Sequence, residues 1–302
     1  MEEKPRNLIV ILGPTASGKT AVAVRLAKEV GAEIISADSR QVYRGMDIGT
    51  GKDLDEYRRA GVACHLIDLL GPEGEFSVYE YQREFFACFQ RMRERGLIPV
   101  MAGGSGLYIE SVLRNYLMAE APADPLLRRD LDRLETEELK ARLLELKPVL
   151  HNTTDFTDRE RIIRAIEIAG RPPDAPSGGR PEIRPLVVGI SCSREELKKK
   201  IGERLKKRLE SGMIEEVEKL VSAGITWERL DRFGLEYRYV GLYLRGEMTR
   251  KEMADTLEIR IRRFAKRQMT WFRRMERLGI PIRWFPAGEY EQISDYVRHN
   301  LK

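Results

Sequence analysis

Gly13-Pro14-Thr15-Ala16-Ser17-Gly18-Lys19-Thr20 decides the fold, because it fits G-x-x-x-x-G-K-[ST], the phosphate-binding loop. Its neighbours supply the context that the pattern needs. Leu8-Ile9-Val10-Ile11-Leu12 is an unbroken apolar run, which reads as a parallel strand buried on both faces. Ala21, Val22, Ala23, Leu26, Ala27 and Val30 then share one face of a helix that Gly31 stops. Strand, glycine turn and helix N-terminus together aim backbone N–H groups at one anion. Lys19 adds a positive charge, and the Thr20 hydroxyl suits a magnesium ion. The eight residues 13–20 are therefore expected at linked phosphates. The bland alternative is a chance glycine turn, and the flanking strand and helix argue against it.

Working outward, Glu33-Ile34-Ile35-Ser36 predicts a second strand, followed by the polar run Ala37-Asp38-Ser39-Arg40-Gln41-Val42-Tyr43. Ligands of open α/β sheets bind at that end of a strand. His65 to Asp68 predicts a short strand ending in an acid. Ser77 to Arg95 predicts a helix, and Ile98 to Ala102 a strand that runs into Gly103-Gly104-Ser105-Gly106 and a helix over 107–113. Leu186 to Ser191 and Pro281 to Phe285 predict two more strands. The fold class expected is α/β: a P-loop NTPase-like parallel sheet flanked by helices, with an inserted helical subdomain. The core is expected over 1–118, with 183–210 and 276–302 returning to it; 119–182 and 211–275 are expected as helical insertions.

The chain has 302 residues, enough for a large core, with a net charge of +5 and 33% charged residues. Three cysteines and three histidines are scattered without metal-like spacing, which argues against zinc and for a reducing compartment. With no leader and no spanning apolar run, a cytoplasmic protein without membrane contact is expected, acting as a monomer.

Three helical segments are informative. Residues 125–147 and 158–169 read as charged helices, and 170–185 as a Pro/Gly-rich linker. Ser193-x-x-Glu196 opens a basic helix with Leu197, Ile201, Leu205 and Leu209 as its apolar row. Thr249-x-x-Glu252 opens a long helix to about Leu278, with Met253, Leu257, Ile261 and Phe264 as its stripe. Arg260, Arg262, Arg263, Lys266, Arg267, Arg273 and Arg274 load its other faces, which suits a phosphate backbone better than a small metabolite. An ordinary solvated helix face is the alternative.

Asp38 is the sharpest catalytic candidate, as a general base facing the P-loop across the cleft; a turn-forming aspartate is the alternative. Asp68 is a candidate magnesium acid. Arg204 is placed to close over a diphosphate, against the alternative of a solvated charge.

At these residues the chain resembles the tRNA dimethylallyltransferases, also called tRNA isopentenylpyrophosphate transferases, in their bacterial form. Residues 13–20, 36–43 and 44–52 carry the resemblance, with Gly103 to Tyr108, Ala123-Asp124-Pro125 with Arg128, Asp158 to Glu167, and Lys266 to Trp271. The resemblance implies that the P-loop grips dimethylallyl diphosphate rather than ATP. The exocyclic amine of the adenosine 3′-adjacent to the anticodon then attacks the allylic carbon and diphosphate leaves. Asp38, Thr20 and Arg204 are the implied catalytic residues, with Mg2+ on Thr20. The base must be flipped from its stack in the tRNA anticodon stem-loop. Implied tRNA contacts are Asp38, Ser39, Arg40, Gln41, Ser105, Arg128, Glu160, Arg161, Ile162, Ile163, Arg164, Arg238, Lys266, Arg267, Gln268, Met269, Thr270, Trp271, Phe272 and Arg273. The chain departs from the family pattern at Phe233-Gly234-Leu235-Glu236-Tyr237-Arg238-Tyr239, where Tyr239 replaces the usual Gln, and at Ser105, where Thr is usual. The rivals are a prenyltransferase of free adenine nucleotide, a small-molecule P-loop kinase and a non-enzymatic RNA binder.

Overall fold

The computed structural model describes residues 5–118, 120–121, 124–146, 156, 158–171 and 180–301. Ala123, His151, the end of the helix expected to reach 147, and residues 172–179 of the expected linker lie outside them.

The chain forms two compact units, one of residues 1–115 with 181–302 and one of residues 116–180. The large unit opens with β1 (Leu8–Leu12), α1 (Lys19–Val30), β2 (Ile34–Ala37), α2 (Leu54–Ala60), β3 (Cys64–His65), α3 (Val78–Glu94), β4 (Val100–Gly103) and α4 (Gly106–Leu113). The small unit contributes α5 (Pro125–Leu131), α6 (Thr136–Leu146) and α7 (Arg159–Ala169). The large unit resumes with β5 (Pro185–Ser191), α8 (Arg194–Glu210), α9 (Met213–Ser222), α10 (Trp227–Phe233), α11 (Leu235–Leu244), α12 (Arg250–Arg277), β6 (Arg283–Pro286) and α13 (Tyr290–Asn300).

Among the described residues the six strands form one sheet in the order β3-β2-β4-β1-β5-β6, and every pairing is parallel. All the C-terminal strand ends therefore share one edge. Three turns leave β1, β2 and β4 there, carrying the P-loop, Asp38 and the 103–106 glycines. Alternation along β1 explains its apolar run. Leu8, Val10 and Leu12 pack on the face covered by α3, α4 and the end of α12, whereas Ile9 and Ile11 pack against α1 and α13.

β3 is shorter than expected. Leu66 and Asp68 adopt left-handed backbone, with φ of 60° and 57°, so extended pairing stops at His65. α12 has the expected start, with a full capping box between Thr249 and Glu252. At Ser193 only half the box forms: Ser193 caps the Glu196 amide, while the Glu196 carboxylate pairs with Lys200 at 2.6 Å.

The buried row of α12 is Met253, Leu257, Ile261, Ala265, Gln268, Phe272 and Met275. Phe264 lies beside that row and is 39% exposed, which corrects its place in the expected stripe. The row serves two cores. Its first half packs with α8 to α11 and with Val42, Tyr43 and Met46; Phe272 and Met275 pack under the sheet. Residues 211–275 are thus helical and pack within the large unit.

A cation-lined cavity at the strand edge

A cavity of about 610 Å3 opens at the C-terminal edge of the sheet. Thr15, Lys19 and Thr20 line it from the P-loop, Asp38 to Gln41 from the turn after β2, and Gly103 to Tyr108 from the turn after β4. Gly49 to Gly51, Arg204 and Arg208 of α8, and residues 231–238 add further wall. Ile261, Phe264, Arg267, Gln268 and Trp271 of α12 complete it.

The P-loop is shaped for an anion. Ala16 and Gly18 have left-handed φ of 62° and 90°, and Gly18 begins α1 with no side-chain cap and no acid in the first turn. The positive helix end is therefore left for a ligand. Lys19 Nζ donates to the Pro14 carbonyl at 3.4 Å. Burial, then the charge of Arg204, pulls the Lys19 ammonium down to about 8 despite opposing attraction from Asp38 and Asp53.

Arg204 donates to Thr15 Oγ1 at 3.2 Å and to the Gly51 carbonyl at 3.4 Å, and pairs with Asp53 at 3.3 Å. Arg208, one helical turn on, donates to the Gly49 carbonyl at 3.3 Å and pairs with Glu236 at 3.2 Å. Both guanidinium groups converge on Gly51, whose φ of 64° and lack of a side chain leave them room. Sequence reading missed Arg208, although its i+4 spacing from Arg204 on one helix was the available signal.

The loop that carries Gly49 and Gly51 is pinned from behind. Glu216 accepts the amides of Asp47, Ile48 and Gly49 at 2.8, 2.7 and 3.0 Å, and the Tyr237 hydroxyl at 2.7 Å. Gln41 joins the same loop to β2: its amide donates to the Gly51 carbonyl at 3.0 Å and its oxygen accepts from Ser36 at 2.9 Å.

Asp38 lines the cavity, and its Oδ1 accepts the Arg40 amide at 3.0 Å. Ser105 Oγ accepts the Ser39 amide at 3.0 Å, tying the turns after β2 and β4 together. Asp68 is not beside this cavity. It pairs with the fully buried Lys52, which also binds Asp47 at 2.6 Å and the Tyr43 carbonyl at 2.7 Å. That corrects Asp68 as a magnesium acid: its charge already neutralises a buried ammonium.

Of the other expected tRNA contacts, Ser39, Arg40, Gln41, Ser105, Arg238, Arg267, Gln268 and Trp271 line the cavity. Lys266, Thr270 and Arg273 lie on α12, where all three are exposed and Met269 is half-buried. Phe272 is fully buried against the sheet, so it is core rather than contact surface. In the small unit, Ile162 and Ile163 are buried among Leu131, Leu139, Leu143 and Ile166, and likewise form core. Glu160 and Arg161 are exposed there. Arg128 and Arg164 both grip the buried Glu167, at 2.8 and 3.0 Å.

Among the described residues no three His, Cys, Asp or Glu side chains cluster as a metal site, and no helix is long and apolar enough to cross a membrane.

Comparisons with known proteins agree with this geometry. A family model described as IPP transferase matches residues 41–275. The chain is 54% identical over 302 residues to tRNA dimethylallyltransferase 1 of Syntrophus aciditrophicus, covering 98% of this chain and 99% of the relative. It is 53% identical over 298 residues to tRNA dimethylallyltransferase 2 of Trichlorobacter lovleyi, covering 96% and 97%. Its fold resembles the crystal structure of the tRNA isopentenylpyrophosphate transferase of Bacillus halodurans, with a TM-score of 0.72, 33% identity and coverage of 99% and 97%.

Proposed function

We propose a division of labour in the cavity from one premise: this chain belongs to the IPP transferase family. It is a transferase that moves a dimethylallyl group onto tRNA. The donor in our reading is dimethylallyl diphosphate, and the acceptor is the exocyclic amine of the adenosine 3′-adjacent to the anticodon. The observation that carries this reading is that Lys19, Arg204, Arg208 and Asp38 all line one cavity.

The amine lone pair forms the new bond to the allylic carbon. The carbon–oxygen bond breaks, and its electron pair leaves with diphosphate. Negative charge grows on the leaving oxygens, where Lys19, the two arginines and the uncapped start of α1 stabilise it in place. Asp38 takes the proton that the amine must lose. A flipped adenine needs a walled pocket, which Tyr108, Phe233, Phe264 and Trp271 supply.

Magnesium fits this donor set in one form only. Thr20 Oγ1 offers one oxygen, so the diphosphate and water would supply the others, as magnesium accepts readily. Bound there, the ion would neutralise leaving-group charge. The exposed face of α12, with Arg263, Lys266 and Arg273, supports contact with the tRNA backbone. The reading takes the enzyme as a monomer, and a tRNA substrate fits an enzyme of the cytoplasm.

The test is transfer of label from dimethylallyl diphosphate to bulk tRNA, AMP or ATP. We expect label in tRNA alone, and a loss of at least ~100-fold in Asp38→Asn with tRNA affinity retained. Label in AMP or ATP instead would replace this reading with the free-nucleotide enzyme.

A further inference from the structure

The ion pair between Arg208 and Glu236 lies in the wall of the cavity, and the reaction as described has no use for the carboxylate. Arg208 is only 12% exposed, so its charge needs a partner near at hand. Glu236 supplies one at 3.2 Å, from the first turn of α11. Asp53 does the same for Arg204 at 3.3 Å. Each arginine is thus already neutralised by a resident acid. A diphosphate brings its own negative charge to the same guanidinium groups, and the two claims on Arg208 compete.

We propose that Glu236 is a resident counter-ion that exchanges with diphosphate: it holds Arg208 while the cavity is empty and weakens the grip on the diphosphate product, so that product leaves. The inference rests on the reading that the P-loop takes the diphosphate. It makes Glu236 a positioning residue, acting through Arg208.

The geometry allows a clean test. Arg208 keeps a second anchor in the Gly49 carbonyl at 3.3 Å. The backbone at 236 is held independently, because the neighbouring Tyr237 hydroxyl is fixed to Glu216 at 2.7 Å. Gly234, not Glu236, starts α11, and no side chain caps it. Removing the charge at 236 therefore frees Arg208 without moving it. The freed guanidinium faces the bound anion alone, and like-charge repulsion between carboxylate and diphosphate disappears.

The experiment is calorimetric titration of inorganic diphosphate into wild type, Glu236→Gln, Glu236→Ala and Glu236→Asp, with steady-state kinetics of the same proteins. The two neutral variants should bind diphosphate about tenfold more tightly than wild type. Their KM for the donor and their kcat should fall together, because release slows. Glu236→Asp, which keeps the charge, should stay near wild type. Neutral variants that bind diphosphate no better than wild type, or more weakly, would overturn the inference. So would an equal loss of affinity in all three, which would make Glu236 scaffold. If wild type itself bound no diphosphate and Lys19→Ala changed nothing, the phosphate-site reading would fall first and the exchange with it.

Discussion

Gln268 of α12 and Thr15 of the P-loop are joined by a hydrogen bond of 2.8 Å, from the Thr15 amide to Gln268 Oε1. The other end of the same side chain donates to the Gly104 carbonyl at 2.9 Å. Gln268 thus clamps the P-loop to the glycine turn after β4, at the point where α12 passes from the helical core to the sheet. A side chain on Gly104 would meet Gln268, so the clamp also needs that glycine. Gln268→Ala strands an amide and a carbonyl together. We expect a loss of ~2 kcal/mol in stability by denaturant unfolding. We also expect a fall of ~10- to 100-fold in kcat/KM, as the loop drifts from its phosphate geometry. Wild-type values on both measures would make the clamp incidental.

Lys19 gives a pH signature. Its folded pKa, about 8, lies below its ordinary value of 10.5. Below pH 8 both folded and unfolded chains hold the proton, and the buried charge opposes folding in full. Between pH 8 and 10.5 the native state releases the proton first, so this contribution to stability improves with rising pH. A bound diphosphate favours the charged form and reverses the release. Donor binding at about pH 8.5 should therefore take up a fraction of a proton, seen by calorimetry in buffers of different ionisation enthalpy. The uptake should vanish at about pH 6.5 and in Lys19→Met. Equal heats in all buffers at the higher pH would count against a near-neutral Lys19.

Much of this site was legible because it is local. β1, the P-loop and α1 follow one another without a break from Leu8 to Val30, and each signal is read from its neighbours. The turns after β2 and β4 share the cavity because the sheet is parallel, which the apolar strand runs already implied. Long-range pairing was not legible. Nothing at Asp68 shows that Lys52 claims it, and nothing at Glu236 shows that α11 sets it beside α8. Phe264 misled because the buried row of α12 keeps steps of four from Met253 to Ala265, so a step of three taken at Ile261 lands one residue early and exchanges core for surface; Phe272 entered only within the range 266–273 that the resemblance implied.

The small unit depends on one buried acid. Burial pushes the Glu167 carboxyl up, but hydrogen bonds from Arg128, the Asp124 amide and Arg164 outweigh it and hold it near 2. The sign follows from a depressed acid: the stabilisation is full above the ordinary pKa of 4.5 and is lost as pH falls toward 2. Glu167→Gln leaves two half-exposed arginines facing each other and should cost ~2 kcal/mol, less than a fully buried pair because water screens them. Hydrogen exchange of α5 and α7 should rise in that variant at neutral pH, and in wild type on acidification below about pH 4. Protection unchanged in both would show that apolar packing alone holds the unit.

α12 separates a tRNA enzyme from a small-molecule one. Glu258 pairs with Arg262, and Glu110 with Arg274 at 2.7 Å, so those two cations serve the fold. Arg263, Lys266 and Arg273 are exposed and make no ion pair among the described residues. Arg267 also lines the cavity beside Phe264, so changing it would mix RNA binding with the reaction. The cleaner variant replaces Arg263, Lys266 and Arg273 with Ala. Every phosphate that these side chains cease to neutralise keeps its own counterion, so the slope of log affinity against log salt should flatten by about two units. Affinity for dimethylallyl diphosphate should stay within about twofold, because the proposed site for that ligand is the P-loop and not this face. The measurement is tRNA binding over a salt series for both proteins. An unchanged slope would place the RNA backbone elsewhere, and an equal loss of donor affinity would tie these side chains to the cavity.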